Sequence, residues 1–381
     1  MAQPKTIYLD YAAATPLDAH VAKAMQPYFS ERFYNPSATY LAAKAVQHDL
    51  MQARSRVAYW LGARDSEIVF TAGGSEANNL ALHGVMSSYP GGNLVVSAIE
   101  HDSVLAPAKI YPHKLTRVTR DGRIDLKHLQ RSIDDKTVLV SIMYANNEIG
   151  TIQPLKEITT LVKSIRTKRQ KQGNTRPLYV HTDACQAAAY LDLHVNRLGV
   201  DLMTLNGGKI YGPKQSGALY IKTGTTITPQ ILGGGQERGL RSGTENVVGC
   251  IGLAAALDLV QGRRVEETKR LAKLQTTFTE LLTSKLPNCT INGSLKHRLP
   301  NNVHVTLAGQ DNERLMMQLD EQGIQCAVGS ACSASNDEPS HVLMAIGLTE
   351  AEAQASLRFS FGHTTKAADI RRTVITLANS L

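Results

Sequence analysis

Two residues set the chemical question. Lys209 sits in the turn Asn206-Gly207-Gly208-Lys209-Ile210-Tyr211-Gly212-Pro213-Lys214, directly after an apolar run at 201–205. A lysine held between glycines at a strand end can form a Schiff base with an aldehyde. Most lysines are only solvated surface groups, so the reading depends on company. One strand-helix step upstream, Thr182-Asp183-Ala184-Cys185-Gln186 places a carboxylate at another strand end. Alone, that Asp reads as the cap of the next segment. Paired with Lys209, it can keep a pyridine nitrogen protonated through a charge-assisted hydrogen bond, which makes the ring an electron sink.

Three further segments join them. Thr71-Ala72-Gly73-Gly74-Ser75-Glu76-Ala77-Asn78-Asn79 follows an apolar run and opens a helical one. Its glycines permit a tight turn, and Ser75 with the helix-start N–H groups can hold a phosphate against the positive end of the helix dipole; an ordinary N-cap has the same sequence. Ile99-Glu100-His101-Asp102-Ser103 sets an imidazole after a strand, where it can lie on an aromatic cofactor and move protons near neutral pH. Gly329-Ser330-Ala331-Cys332-Ser333-Ala334-Ser335-Asn336 is small and polar, and is expected to be a mobile loop carrying an accessible thiol. Cys326, beside Ile324 and Val328, is expected to be a buried core thiol instead.

The elements that must position these groups are short apolar strands at 67–70, 93–99, 137–143, 178–181, 201–205 and 218–221, alternating with helical stretches at 42–61, 76–88, 126–133 and 155–168, with Pro154 at a helix start. That rhythm predicts an α/β domain, a mostly parallel sheet flanked by helices on both faces, with ligands bound outside the carboxyl ends of the strands. After the Gly-rich stretch 233–243, one long helical pattern runs from about Asn246 towards Lys285, with strands near 303–307 and 357–361. The change of rhythm predicts a smaller α+β domain, giving 15–250 as the large cofactor-binding domain and 1–14 with 251–381 as the small one carrying the Cys332 loop.

Composition sets bounds on function. A chain of 381 residues, 43% hydrophobic and 19% charged, has ordinary globular content and no tract polar enough for disorder. The longest apolar run, 247–260, is interrupted by Asp258 and too short to span a bilayer, so no membrane partner and a cytoplasmic location are expected. Five cysteines, at 185, 250, 289, 326 and 332, form no CxxC pair, which disfavours a disulfide framework and a metal site. The net charge of +8 includes a basic run at 163–171 without interleaved aromatics, so direct nucleic-acid binding is not expected.

Tyr8-Leu9-Asp10-Tyr11-Ala12-Ala13-Ala14-Thr15-Pro16, Asn146-Asn147-Glu148-Ile149-Gly150, Lys209 to Lys214, Arg238-Gly239-Leu240-Arg241-Ser242-Gly243-Thr244 and Gly329 to Cys332 together resemble the NifS/IscS-type cysteine desulfurases of the class V aminotransferase group, which are fold-type I pyridoxal-phosphate (PLP) enzymes. The resemblance runs from Tyr8 to about Thr365. It implies that Lys209 holds PLP, Asp183 pairs with the pyridine nitrogen, His101 stacks on the ring and Gln186 contacts the ring oxygen. Ser75, with the backbone at Gly74, and Asn206 would lie at the phosphate. Asn35, Asn147 and Arg358 would receive the carboxylate of L-cysteine, the planar guanidinium being suited to a two-point contact. Cys332 would take the substrate sulfur as a persulfide, releasing alanine. Thr244 would reach the phosphate of the partner subunit, implying a homodimer with shared sites. The long segment from Gly329 to Leu343 resembles that of desulfurases serving iron-sulfur cluster assembly and tRNA thiolation, so the expected acceptor is an iron-sulfur scaffold or a sulfurtransferase.

The chain departs from the family pattern in three places. The usual Ser-Gly-His-Lys is Asn206-Gly207-Gly208-Lys209 here, which alters a phosphate-binding hydroxyl and an imidazole and predicts weaker cofactor binding. Pro36-Ser37-Ala38-Thr39-Tyr40 lacks the histidine usual after Asn-Pro-Ser, and the sequence ends at Leu381 without the longer tail of IscS-type proteins. Two alternatives stand beside the desulfurase. One is a selenocysteine lyase or other class V aminotransferase, although Cys332 has little purpose in transamination. The other is a catalytically silent PLP-binding scaffold.

Overall fold

The apolar runs of the first two-thirds of the chain form one sheet in the computed structural model, which describes residues 6–329 and 339–381. In chain order the strands are β1 (Ile7–Tyr8), β2 (Ile68–Thr71), β3 (Asn93–Ser97), β4 (His113–Thr116), β5 (Thr137–Ser141), β6 (Tyr179–Asp183), β7 (Leu202–Asn206), β8 (Gly217–Ile221), β9 (Cys289–Ile291), β10 (Asn302–Leu307), β11 (Ile324–Gln325) and β12 (Ser356–Ser360). Strands β2 to β8 make a seven-stranded sheet in the order β2-β8-β7-β6-β5-β3-β4. Strand β8 is antiparallel to both neighbours, and every other pair is parallel.

Both faces of this sheet are buried, which is why its strands read as near-continuous apolar runs. Successive side chains point to opposite faces. Ile68, Phe70, Val95 and Met203 enter one core, while Val69, Leu94, Val96 and Leu202 enter another. The helices Gly74–Ser88 and Asp102–Ala108 contribute to the second core, and Leu41–Leu61, Leu155–Lys171 and Val247–Gly262 to the first. Strand β4 carries no such run because it is the edge strand and most of its side chains are exposed or half-buried. Sequence reasoning therefore passed over it.

The long helical pattern from Asn246 to Lys285 is two helices, Val247–Gly262 and Arg264–Lys285. They meet at Arg263, whose φ of −102° and ψ of 3° are not helical. The first helix is buried along most of its length and packs on Ala19–Met25 and Leu41–Leu61; the second turns away to pack on Ala367–Ser380. The expected domain boundary at residue 251 thus falls inside a helix that lies against the first part of the chain.

Beyond that helix pair, β9, β10 and β12 form a three-stranded antiparallel sheet in the order β12-β10-β9. Strand β1 pairs in parallel with β11, and Asp10 bridges Ser360, so the N-terminal residues are tied to the C-terminal part of the chain. No helix among the described residues is long and apolar enough to cross a membrane.

One buried ion pair fixes the Gly-rich segment against the large sheet. Arg54 Nη1 and Nη2 each donate to Glu237 at 2.6 Å, and the Phe70 N–H donates to Glu237 Oε2 at 2.9 Å. The two side chains are 13% and 2% exposed. Arg54→Ala leaves that carboxylate buried and unpaired and is expected to cost about 3–5 kcal/mol of stability. Arg56→Ala breaks a pair with Asp258 whose side chains are 42% and 35% exposed, and should cost under about 1 kcal/mol. Urea unfolding of the two variants checks this, and equal costs would contradict it.

Candidate active site

The site begins at the last residue of β6. Asp183 is buried, and both carboxylate oxygens are held: Oδ2 accepts from Asn78 Nδ2 at 2.7 Å and Oδ1 from the Cys185 N–H at 2.9 Å. The same Asn78 amide donates to Ser103 Oγ at 2.8 Å, and Ser103 Oγ lies 2.8 Å from His101 Nδ1. The Ser103 N–H also donates to His101 Nδ1 at 3.1 Å, which places the proton of a neutral ring on Nε2. One hydrogen-bonded chain therefore joins the carboxylate to the imidazole. Asn78 was not assigned a role from sequence, although it lies three residues after Ser75 on the same helix face.

Lys209 closes the opposite end. The turn Gly207–Lys209 follows β7 and is started by Asn206 Oδ1, which accepts the Gly208 N–H at 3.0 Å. Lys209 Nζ donates to Ala13 O at 2.6 Å and Ala12 O at 3.1 Å, and Gln186 Nε2 donates to the same Ala12 O at 2.9 Å. Thr15 ties this segment down: its N–H and its hydroxyl both donate to Gly208 O at 3.1 Å, and its Oγ1 accepts the Tyr211 N–H at 2.7 Å. Backbone acceptors such as Ala12 O and Ala13 O carry no signature in sequence.

The third corner is the start of the helix Gly74–Ser88. Gly73 takes φ 145°, a backbone region that side chains rarely adopt, and the Cβ that Gly217 lacks would fall 2.7 Å from the Gly73 backbone. Two glycines therefore let the helix start approach the neighbouring strand. A Cβ on Gly74 would meet Cys185 Sγ at 2.9 Å and Asn206 Nδ2 at 3.3 Å, so the glycine keeps this corner open. The first-turn N–H groups and Ser75, exposed on the rim, border it.

Arg358, on β12, is 1% exposed. Its Nη2 donates to Asp10 Oδ1 at 2.6 Å and its Nη1 to Asn147 O at 3.1 Å, while its buried Nε has no partner among the described residues. The Asp10 contact was not anticipated, and it occupies one arm of the guanidinium expected to bind a carboxylate. A cavity of about 250 Å³ brings together Asp183, Lys209, His101, Gln186, Asn206 and Arg358 with Gly74, Ser75 and Asn147. Asn35 and Thr244 are exposed and do not line it; Asn35 Oδ1 instead accepts the N–H of Ser37 at 2.9 Å.

Cys332 lies outside the described residues, but its flanks are visible. Ala327 bridges Arg358 on one side. On the other, Ser340 Oγ donates to Glu148 Oε2 at 2.5 Å, and His341 Nε2 lies 2.9 Å from Glu100 O. Both flanks are thus joined to residues in or next to the cavity wall. Glu100 is wholly buried and accepts the Met143 N–H at 2.7 Å; burial pushes its carboxyl well above the ordinary range.

The remaining thiols are of a different kind. Burial, then the neighbouring Asp183, pushes the Cys185 thiol well up. Burial likewise raises Cys250, raises Cys289 where it is partly covered, and takes Cys326 up to about 12. Among the described residues no group of three or more His, Cys, Asp or Glu is placed to hold a metal ion. The donor set fits a phosphorylated pyridine aldehyde instead. An amine, a deep carboxylate and a helix N-terminus sit at three corners of one cavity that Asn78 also lines, and the buried Oδ1 of Asn78 has no partner among the described residues.

The family model described as aminotransferase class-V matches residues 7–373. A cysteine desulfurase IscS from Dictyoglomus turgidum is 38% identical over 377 residues, covering 97% of this chain and 93% of its own. Another, from Methanosarcina thermophila, is 40% identical over 375 residues, covering 97% and 90%. Among solved structures, a NifS-like protein superposes with a TM-score of 0.90 at 30% identity, covering 98% of both chains. SspA in complex with cysteine superposes with a TM-score of 0.81 at 34% identity, covering 93% of this chain and 99% of its own.

The thiol environments give a direct expectation. A raised pKa keeps a thiol protonated and unreactive at pH 8, so brief iodoacetamide treatment should label Cys332 while sparing Cys185, Cys250 and Cys326. Peptide mass spectrometry reads the order, and first labelling of any of those three would contradict it.

Proposed function

The chain belongs to the aminotransferase class-V family, and on that premise we propose that it is a PLP-dependent cysteine desulfurase, converting L-cysteine to L-alanine with Cys332 as the sulfur carrier. The observation that carries the reading is the single cavity holding Lys209, Asp183, His101 and Arg358 in a chain whose relatives are named cysteine desulfurases. When bound, PLP supplies an electron sink that acidifies the substrate Cα and lets the Cβ–S bond break.

The chain's own residues do the rest. Lys209 Nζ would hold the cofactor aldehyde, and as a free amine it would move the substrate Cα proton. Asp183, clamped by Asn78 and the Cys185 N–H, would hold the proton on the ring nitrogen. His101 would lie against the ring with Nε2–H available to move a proton, while Ser103 fixes its other nitrogen. Arg358, positioned by Asp10 at Nη2 and by the Asn147 carbonyl at Nη1, would receive the substrate carboxylate.

The sulfur step balances without an outside oxidant. The Cys332 thiolate attacks the substrate sulfur, an S–S bond forms and the Cβ–S bond breaks. The electron pair of the broken bond stays with the carbon fragment, which takes up a proton and leaves as alanine. Cys332 is left as a persulfide, and an acceptor thiol or a reductant later removes the sulfur. An iron-sulfur scaffold or a sulfurtransferase in the cytoplasm is the acceptor this reading assigns, in line with relatives named IscS. The exposed Thr244 is assigned to the phosphate of a second copy of the chain, making the enzyme a homodimer.

Incubating PLP-loaded protein with L-cysteine and a thiol reductant tests the reading. Alanine and sulfide should appear in equal amounts. Cys332→Ser should keep the cofactor and lose turnover by roughly two orders of magnitude or more, and Lys209→Ala should lose covalent attachment of the cofactor. Wild-type protein that makes no alanine would overturn the desulfurase reading, and full activity in Cys332→Ser would remove Cys332 from it.

A further inference from the structure

The phosphate corner lacks the hydroxyl and imidazole expected from the family pattern, yet it is not empty of donors. A second cavity, of about 330 Å³, shares Gly74, Ser75, Asn206 and Lys209 with the first and is also lined by Gly208 and Lys214. We propose that Lys214 is a ligand of the cofactor phosphate, supplying from the far side of the turn the charge that a side chain at position 208 does not. The proposal rests on the reading of the site as a PLP site.

Four observations carry it. First, a Cβ built on Gly208 would meet Lys214 Cγ at 3.7 Å and Lys214 Cα at 3.8 Å, so the stem of Lys214 forms the wall of the space that Gly208 leaves open. Second, Lys214 is brought there at some conformational cost. Tyr211 and Gln215, neither of them glycine, take φ values of 64° and 58°, a left-handed backbone that costs on the order of 1 kcal/mol per residue. Third, the other charges at this cavity are committed. Glu76 accepts the Ala72 N–H at 2.9 Å and pairs with Arg241 Nε at 2.9 Å, and Lys209 is the amine that takes the aldehyde. Lys214 Nζ donates to Thr15 O at 3.2 Å, which uses one of its three hydrogens. Fourth, Asn206 Oδ1 is taken by the Gly208 N–H, so its amide nitrogen is the end that faces the helix start.

The phosphate of PLP carries close to two negative charges and several strong acceptor oxygens. The helix N-terminus and the Asn206 amide supply directional donors, but only partial charge. A lysine adds a full positive charge without demanding a fixed geometry, which suits a side chain reaching in from an exposed turn.

The test separates the phosphate from the rest of the cofactor. Protein stripped of PLP is titrated with PLP and, separately, with pyridoxal, which lacks the phosphate, and binding is followed by the absorbance of the attached ring. Lys214→Met should raise the PLP dissociation constant by roughly tenfold or more, as expected for loss of one charge-assisted contact, and leave pyridoxal binding unchanged. Gly208→His, whose Cβ has room, should restore PLP affinity in the Lys214→Met background. An unchanged PLP constant in Lys214→Met would overturn the proposal, as would an equal loss for both ligands, since the defect would then not be at the phosphate. Borohydride trapping and peptide mass analysis distinguish the underlying reading. If Lys209 is not labelled by PLP in the wild-type chain, the cofactor assignment fails and the proposal fails with it; if Lys209 is labelled and only the Lys214 prediction fails, the cofactor assignment stands.

Discussion

Asp183 ends a buried parallel strand with one oxygen on the Asn78 amide and the other on the Cys185 N–H, and the rest of the site is arranged around that clamp. A buried carboxylate is costly unless its lone pairs are satisfied. Here the satisfaction comes from two elements at once, the helix Gly74–Ser88 and the turn leaving β6. The same Asn78 amide reaches Ser103, and Ser103 orients His101, so the floor and one wall of the cavity are fixed by a single amide group. Loss of Asn78 would leave two polar groups without their donor, which makes it a positioning residue for both.

The Arg358 side of the cavity obeys a different constraint. Arg358 comes from the C-terminal sheet and meets Asp10, 348 residues away in the chain, and the Asn147 carbonyl. The large sheet supplies the Asp183 and Lys209 end of the cavity, while the C-terminal sheet and the N-terminal segment supply its Arg358 end. Strand β1, paired with β11, and the bridge from Asp10 to Ser360 hold that N-terminal segment in register. The segment then passes beneath Lys209, where Ala12 and Ala13 accept its ammonium hydrogens. One stretch of about eight residues thus contacts both ends of the site.

Much of this was legible in the sequence because the informative signals were local. Strands buried on both faces leave apolar runs, and the groups at their carboxyl ends follow directly. Asp183, Lys209, His101 and Arg358 were singled out that way or by family resemblance, and the structure brings the four to one cavity. What escaped has a physical reason in each case. Strand β4 is an edge strand with a mostly exposed pattern. The break at Arg263 is a change of direction between two helices that are each helical by sequence. The Asp10–Arg358 pair is non-local, and Lys209 is met by backbone carbonyls, which every residue possesses. Asn78 was visible as a residue but not as a link, because its value lies in two partners from different elements.

In the proposed function, Asp183 keeps a proton on the ring nitrogen of a cofactor attached at Lys209. The most direct measurement is 15N NMR of protein reconstituted with PLP labelled at that nitrogen, in the wild type and in Asp183→Asn. The account predicts a protonated nitrogen, marked by one-bond coupling to hydrogen, in the wild type, and an unprotonated one in the variant with the cofactor still attached. An unprotonated ring nitrogen in the wild type would contradict it.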